Sequence, residues 1–452
     1  MSKIRLHGSS SGYTEIAPVA ASGNNTLTLP SDGTIISKDA AGAVGVTSVH
    51  TTNITATGIA TITTAKIGAG VTISESGIEA SGIGITCANI NRGQIGGRRN
   101  IIINGAAMVA QRGDTISGVT GDGYATDRFQ AVMNSSGTLT ISQDSDAPGG
   151  TGFRKCHRLT QTTAQGSLGA NDLTTFRYSA EGYDLQGFKK GGSGAEEFTV
   201  SFWVKSVDQS SYPVTYILEL RDPVNTRSCC KAYTVSASNT WEYKTITFPA
   251  DTSGQWAASN AKALEMNWFV CAGSNYTSGT LSTTWATTVT ANRAAGLTAN
   301  LSANTANRFF LTGVQLEVGS QATAFEHRSF GEELALCQRY CYEHLISGAN
   351  QYASIMLGSY YMSSRIYGSF RFPVTMRTAP TMVCTDSADA FNCYRDGGVD
   401  FVNEFHIDSS NNVGPNGAEI LNDSDASGTA GQSTFIRRGS NSTTTFRFEA
   451  EL

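Results

Sequence analysis

Charge is scarce in this chain. Asp, Glu, Lys and Arg make up 15% of its 452 residues, against about a quarter in ordinary globular domains. The formal net charge is −5, and the one compact basic cluster is Arg98-Arg99 with Arg92 upstream. A nucleic-acid binder would carry a basic face or tail, so that class is not expected. Long apolar runs are missing too, which excludes a helical membrane span. The opening Met1-Ser2-Lys3-Ile4-Arg5-Leu6-His7 is not followed by an apolar stretch. No secretory signal is therefore expected, and folding in a cytosol is. Pro is sparse at 9 residues. Cys residues number 9, an odd and scattered set without a CxxC pair. In a reducing compartment such a set reads as small buried hydrophobes rather than a disulfide framework.

Catalytic patterns are also missing. The sequence shows no Ser nucleophile elbow, no HExxH helix, no phosphate-binding Gly loop and no evident pair of carboxylates. The six His (His7, His50, His157, His327, His344 and His406) are far apart in sequence. The chain is therefore expected to be no enzyme, with no cofactor and no metal. Distant carboxylates could still converge in a fold, so a glycan-cleaving protein stays open as an alternative.

What the chain does have is Gly, 48 residues of it, with Thr, Ser, Ala and Asn. Runs such as Thr199-Val200-Ser201-Phe202-Trp203-Val204 alternate with period 2, the pattern of half-buried strands. The expected class is mainly β. Residues 1–44 are turn-rich and short-stranded. Residues 45–97 hold a repeat with Gly before a β-branched residue at Gly45-Val46, Gly58-Ile59, Gly70-Val71 and Gly82-Ile83. Further apolar positions follow at Ile54, Ile67, Ile78 and Ile90, and at Val49, Ile62, Ile73 and Ile85. One such unit cannot bury a core alone, which points to an intertwined shaft of three chains. The plain alternative is a Gly/Thr-rich linker, against which the periodic Ile argues.

Residues 98–328 carry strand-like runs at 129–132, 138–142, 155–160, 198–205, 214–219, 231–235, 241–248, 264–271 and 308–317, separated by turns. Many short strands with few helical windows predict a β-sandwich of jelly-roll type. A helix is predicted over 329–345, with Ser329 and Glu332 as a capping box and Phe330, Leu334, Cys337 and Cys341 on one face. Residues 346–452 return to β-like sequence.

Three groups of segments resemble phage tail-fibre and virion structural proteins, especially those of marine cyanophages. The first is Asn100-Ile101-Ile102-Ile103-Asn104-Gly105-Ala106, then Ala110-Gln111-Arg112-Gly113, then Asp127-Arg128-Phe129. The second is Glu181-Gly182-Tyr183-Asp184-Leu185 with Phe202-Trp203-Val204-Lys205 and Trp241-Glu242-Tyr243-Lys244-Thr245-Ile246. The third runs from Thr312-Gly313-Val314-Gln315-Leu316-Glu317 through Phe325-Glu326-His327-Arg328 to Cys337-Gln338-Arg339-Tyr340. The resemblance implies a virion protein assembled in the host cytoplasm and released by lysis. It implies an elongated homotrimer with an N-terminal virion-anchoring segment (1–44), a shaft (45–97), a sandwich similar to carbohydrate-binding modules (98–328), a collar helix (329–345) and a distal domain (346–452). Its expected partners are another tail or baseplate protein through the N-terminus and a host-surface glycan or protein, without nucleic acid or membrane insertion. The expected role is a tail fibre that adheres to the host. The alternatives are a capsid fibre or connector with a purely structural role, and a polysaccharide-degrading tailspike.

Aromatic faces stack on sugar rings. Trp256, Trp285 and Tyr276 lie in Gly/Ser/Thr-rich segments and are the glycan-binding candidates; Trp203, inside a strand pattern, reads as core. Asp144 and Asp146 before Pro148-Gly149-Gly150 could offer oxygen ligands to Ca²⁺ but fit a solvated turn better. Cys337, Cys341 and His344, at helical spacing, could meet a metal if three chains converged; a buried stripe is the simpler reading. Arg112-Gly113-Asp114 spells a cell-attachment tripeptide, read here as chance.

Overall fold

The computed structural model describes residues 4–7, 13–16, 64–67, 71–74, 77–80, 98–135, 137–208, 211–345, 351–408, 413–440 and 443–452. The chain divides into two compact units, Met1–Thr86 and Cys87–Leu452. In the first, Ile4–His7 pairs antiparallel with Tyr13–Ile16, and Thr64–Ile67, Val71–Ser74 and Gly77–Ala80 form an antiparallel meander. Its register sets Ile67 opposite Val71 and Ile73 opposite Ile78, so the periodic apolar positions pair across strands. The rest of the anchor at 1–44 and the shaft at 45–97 lies outside the described residues.

The second unit holds two β cores. In the larger, a six-stranded sheet faces a seven-stranded one. The first runs Glu242–Phe248, Phe198–Val207, Arg308–Val318, Cys156–Thr163, Thr138–Asp144, Thr115–Val119. The second runs Ala286–Thr287, Arg227–Val235, Val214–Asp222, Lys262–Ala272, Leu173–Glu181, Phe129–Asn134, Gly123–Tyr124. The chain switches repeatedly between sheets, the jelly-roll pattern. Period-2 alternation places Phe198, Val200, Phe202 and Val204 between the sheets. There Phe202 meets Trp268 edge-on at 5.8 Å, Tyr216 stacks on Tyr233 at 5.6 Å, and Phe129 lies 4.0 Å from the buried His157 ring. Aromatic pairs at such distances add about 0.5–1.5 kcal/mol beyond the burial itself. Leu173–Glu181 is a central strand that the sequence runs did not include.

The second core belongs to the C-terminal region. An eight-stranded sheet and the three strands Cys341–Glu343, Phe446–Glu449 and Thr381–Cys384 enclose Ile366, Phe370, Phe391, Ile420, Ile436, Phe446 and Phe448.

The helix is shorter than the 329–345 expected. It spans Phe330–Gln338, with the Ser329 side chain accepting from the Glu332 amide at 3.3 Å. Cys337 is its one fully buried residue, while Phe330 is 57% exposed. Cys341 starts a strand whose ladder with Phe446–Glu449 takes over the backbone bonds a longer helix would have made. Cys337, Cys341 and His344 are therefore not a helical stripe. Among the described residues no group of three His, Cys, Asp or Glu side chains is arranged to hold a metal ion.

Buried ion pairs join the two cores. Arg112, its side chain 4% exposed, contacts Glu449 at 3.0 Å and Glu451 at 3.1 Å. Arg128 pairs with Glu451 and lies 3.4 Å from the Tyr340 ring. Burial works against the charge on Arg128, but Glu451, Tyr340, Tyr178 and Tyr124 together outweigh it and its pKa is raised. Arg339 grips Glu181 through two bonds of 2.8 Å. Arg377 bridges the carbonyls of Ala450 and Glu451, both at 2.7 Å, to the Asn260 carbonyl of the sandwich at 3.2 Å. Residues from 110–113, 127–129, 181–185 and 337–340 thus converge on this junction. Buried there, the Arg112 side chain is held by the junction rather than offered to a receptor. Gly105 belongs to the same closure: a Cβ on it would sit 2.1 Å from the Val314 carbonyl.

Candidate functional site

The outward face of the six-stranded sheet carries the site. In Phe198–Val207 the inward Phe202 forces Trp203 to the opposite face. Trp203 is half-buried there rather than in the core, contrary to the sequence reading. Its register partner on the neighbouring strand is Tyr243, 46% exposed. The two rings lie 5.4 Å apart, tilted by 46°. Across a cleft of about 380 Å³, Phe153, Phe325 and His327 make a second wall. Phe153 meets Phe325 at 5.0 Å, and Phe325 meets His327 at 4.8 Å. Ser201, Thr151 and Thr323 also line it, the two threonine hydroxyls donating to the Pro148 carbonyl and to Glu317, and among the described residues no Asp or Glu lines the cleft.

The second wall depends on Gly313. Its φ is +61°, and a register shift opposite Ser201 and Trp203 marks a bulge there. A Cβ at Gly313 would lie 2.6 Å from the Phe153 ring. Gly313→Ala is therefore expected to cost about 1–2 kcal/mol in backbone strain and to push Phe153 out of the cleft. A lower urea midpoint together with altered near-ultraviolet circular dichroism would register both effects; an unchanged spectrum would show that the wall does not need glycine.

The residues singled out from sequence lie elsewhere. Trp256 and Trp285 are 5% and 9% exposed and pack on Phe198 at 5.8 Å each. Trp285 donates to the Pro249 carbonyl at 2.9 Å. Both rings flank the ammonium of Lys190, at 5.3 and 5.6 Å. Trp256 touches a separate hollow of about 320 Å³, as its one aromatic among the described residues. Tyr276 is half-buried, its ring 5.9 Å from the Arg293 guanidinium. The structure thus turns these three toward packing, because each finds a cation or an apolar neighbour in a loop that folds back on the sandwich. Asp144 and Asp146 are taken up by Arg158 and Lys205, and Asp146 also accepts from Trp241 Nε1 at 3.2 Å.

Lys190 lies between the Trp256 and Trp285 rings. Its side chain is fully buried, and its ammonium sits 2.8 Å from Asp222, 3.1 Å from Asp251 and 2.9 Å from the Ser253 carbonyl. Arg227 completes the cluster with bonds of 2.7 and 2.8 Å to Asp251. The cation in this oxygen cage is the chain's own ammonium, held by ion pairs and hydrogen bonds.

The cleft's chemistry is that of a surface for polyhydroxylated rings. Apolar sugar faces pack on aromatic rings while hydroxyls meet side-chain oxygens, and the volume falls in the range of small-ligand pockets. Tyr243, Phe153, Phe325 and His327 were not singled out from sequence; the available signal was the alternation that sends Phe202 and Trp203 to opposite faces.

No protein-family model matches the chain, and no curated protein matches it. Solved structures with similar folds include the enzymatically active domain of tailspike protein 4 of bacteriophage CBA120, at 11% identity and a TM-score of 0.25 over 48% of this chain and 21% of that one. They include a family 4 carbohydrate-binding module, at 11% identity and 0.24 over 48% and 97%. The tandem CBM22-1-CBM22-2 of Paenibacillus barcinonensis Xyn10C is another, at 10% identity and 0.23 over 75% and 98%. The chain spans about a fifth of that tailspike domain. Its solved-structure neighbours include a phage tailspike domain and carbohydrate-binding modules.

Proposed function

We propose that this protein is a non-enzymatic glycan-binding fibre of a phage particle. It would act as a homotrimer, fixed to the tail through its N-terminal segment, and hold the host surface by avidity from repeated weak contacts. The observation that carries the binding reading is the Trp203–Tyr243 pair facing Phe153 and Phe325 across an open cleft. A cleft without carboxylates favours holding a glycan over cleaving it, since glycoside hydrolysis needs two acidic groups across the bond. The virion assignment is supported by the sequence resemblance, and the trimer by the repeat at 45–97.

The test is binding of the full chain to an array of neutral, amino-sugar and uronic-acid oligosaccharides. Trp203→Ala is expected to weaken the bound set at least tenfold, since ring stacking supplies most of the contact. Undiminished binding by Trp203→Ala and Tyr243→Ala would remove the cleft from the account. Release of reducing ends from any bound glycan would overturn the non-enzymatic reading. Light scattering of the full chain tests the trimer, which a stable monomer would exclude.

A further inference from the structure

The aromatic surface of the six-stranded sheet does not end at the central cleft. Trp203 and Lys205 are two residues apart on Phe198–Val207, so both leave the strand on its outward face. Regular pairing sets Trp203 opposite Thr312 and Lys205 opposite Phe310. On the other side Trp203 faces Tyr243 and Val204 faces Glu242, and Trp241 lies one residue beyond that ladder. Its ring closes over this next position. The Lys205 ammonium is 5.5 Å from the Trp241 centroid and 4.3 Å from that of Phe310, and the two rings meet at 6.1 Å. Trp241 therefore shares a face with Trp203 and Tyr243. It stands two residues from Tyr243, about 6.5 Å along an extended chain, a step close to that of one sugar in a linked glycan.

One loop borders both places. It joins Thr138–Asp144 to Cys156–Thr163. Its Thr151 and Phe153 line the cleft. Its Asp146 accepts from Trp241 Nε1 at 3.2 Å and pairs with Lys205. The Lys205 side chain is buried in that contact, while the Asp146 side chain stays 48% exposed. A carboxylate open to solvent beside a half-buried indole offers acceptors for sugar hydroxyls next to a flat apolar face.

We propose that Trp241 and Asp146 form a second subsite continuous with the central cleft, so that the protein holds an internal stretch of a glycan chain rather than a single terminal sugar. The proposal rests on the glycan reading of the cleft. Trp203 and Tyr243 take one part of the chain, and Trp241 takes the sugar that follows. The carboxylates at this end are paired, Asp146 with Lys205 and Asp144 with Arg158. The added affinity therefore comes from ring stacking and hydroxyl contacts, and it depends on the length of the chain.

The test presents the full chain with the same neutral, amino-sugar and uronic-acid oligosaccharides, each as a disaccharide, a tetrasaccharide and a hexasaccharide. Wild type is expected to bind the longer members of its preferred series about fivefold more tightly than the disaccharide, the gain of one further stacked ring. Trp241→Ala should erase that gain and leave disaccharide binding nearly unchanged. Trp241→Leu, which keeps an apolar cover over Lys205 without a flat face, should do the same. Trp203→Ala should weaken every length. A purely structural role for Trp241 would lower all lengths alike, so the split between lengths is the decisive readout. An equal loss at every length, a gain that survives both Trp241 variants, or a wild type indifferent to length would overturn the second subsite and leave the cleft in place. Absence of any bound glycan, or binding indifferent to Trp203→Ala, would overturn the cleft reading and its extension together.

Discussion

Lys190→Met is expected to destabilise the central sandwich by about 3–5 kcal/mol, the usual cost of leaving buried charges without their partner. The substitution keeps the aliphatic length and removes only the ammonium. Asp222 and Asp251, both nearly devoid of solvent contact, then lose the cation between them, with Asp251 still paired to Arg227 and Asp222 still accepting from Asn225. Two aromatic faces also lose the cation they flank. Urea denaturation of wild type and variant reads the difference. Adding Asp222→Asn to Lys190→Met should recover at least about 1 kcal/mol, because the second change removes the carboxylate orphaned by the first. A loss below about 1 kcal/mol in the single variant would mean that water or Arg227 already satisfies the cage. Such a result would also reopen the hollow beside Trp256 as a solvated site.

The second large effect is acid sensitivity centred on His157. Its ring lies between Phe129 and Phe176, at 4.0 and 5.5 Å, and shares a 2.7 Å hydrogen bond with Thr126. Burial pushes its pKa down to about 3, while an unfolded His titrates near 6.5. Between those values the unfolded chain binds the proton and the folded one does not. Stability is therefore fully present above pH 6.5 and falls as pH drops toward 3. At 1.36 kcal/mol per pH unit the whole window amounts to about 5 kcal/mol. A second loss begins lower. Burial works to raise the Glu265 carboxyl, but Arg177, Lys262 and Arg221 hold it at about 2, so its contribution is present above its ordinary value near 4.5 and fades below. His344, also lowered by burial, and Glu343, Asp127 and Asp184, raised by burial, contribute to the same acid range, so the comparison with a His157 variant between pH 6.5 and 4.5 is what isolates His157. Over that interval, wild type should lose about 3 kcal/mol more than His157→Gln in paired urea titrations. Parallel curves for the two proteins would show that the ring gains a proton without leaving the core.

Much of the central fold was legible because a sheet imposes a two-residue period on the chain. The runs at 198–205, 214–219, 264–271 and 308–317 all fall within observed strands. Leu173–Glu181 escaped because eight of its nine residues are buried, so Thr174, Thr175 and Ser179 occupy inward or covered positions and blur the alternation. The helix end escaped for a different reason. Nothing local to Cys341 forbids another helical turn; the partner strand that captures it lies about a hundred residues later, at Phe446–Glu449.

The amino-acid order by itself determined the β class, the site of the short helix's cap, and the face of each strand, since these follow from spacing along one segment. It also held, in Phe202-Trp203, the information that one ring goes in and the other out. Only the tertiary structure decided which aromatics end up in a cleft. Phe153, Trp203, Tyr243 and Phe325 come from separate parts of the chain and meet through sheet register and one glycine bulge. Trp256 and Trp285 were drawn inward because a buried ammonium, itself fixed by two distant carboxylates, gave their rings a partner. Burial and charge pairing depend on what arrives from elsewhere in the fold, and no window of sequence contains both partners.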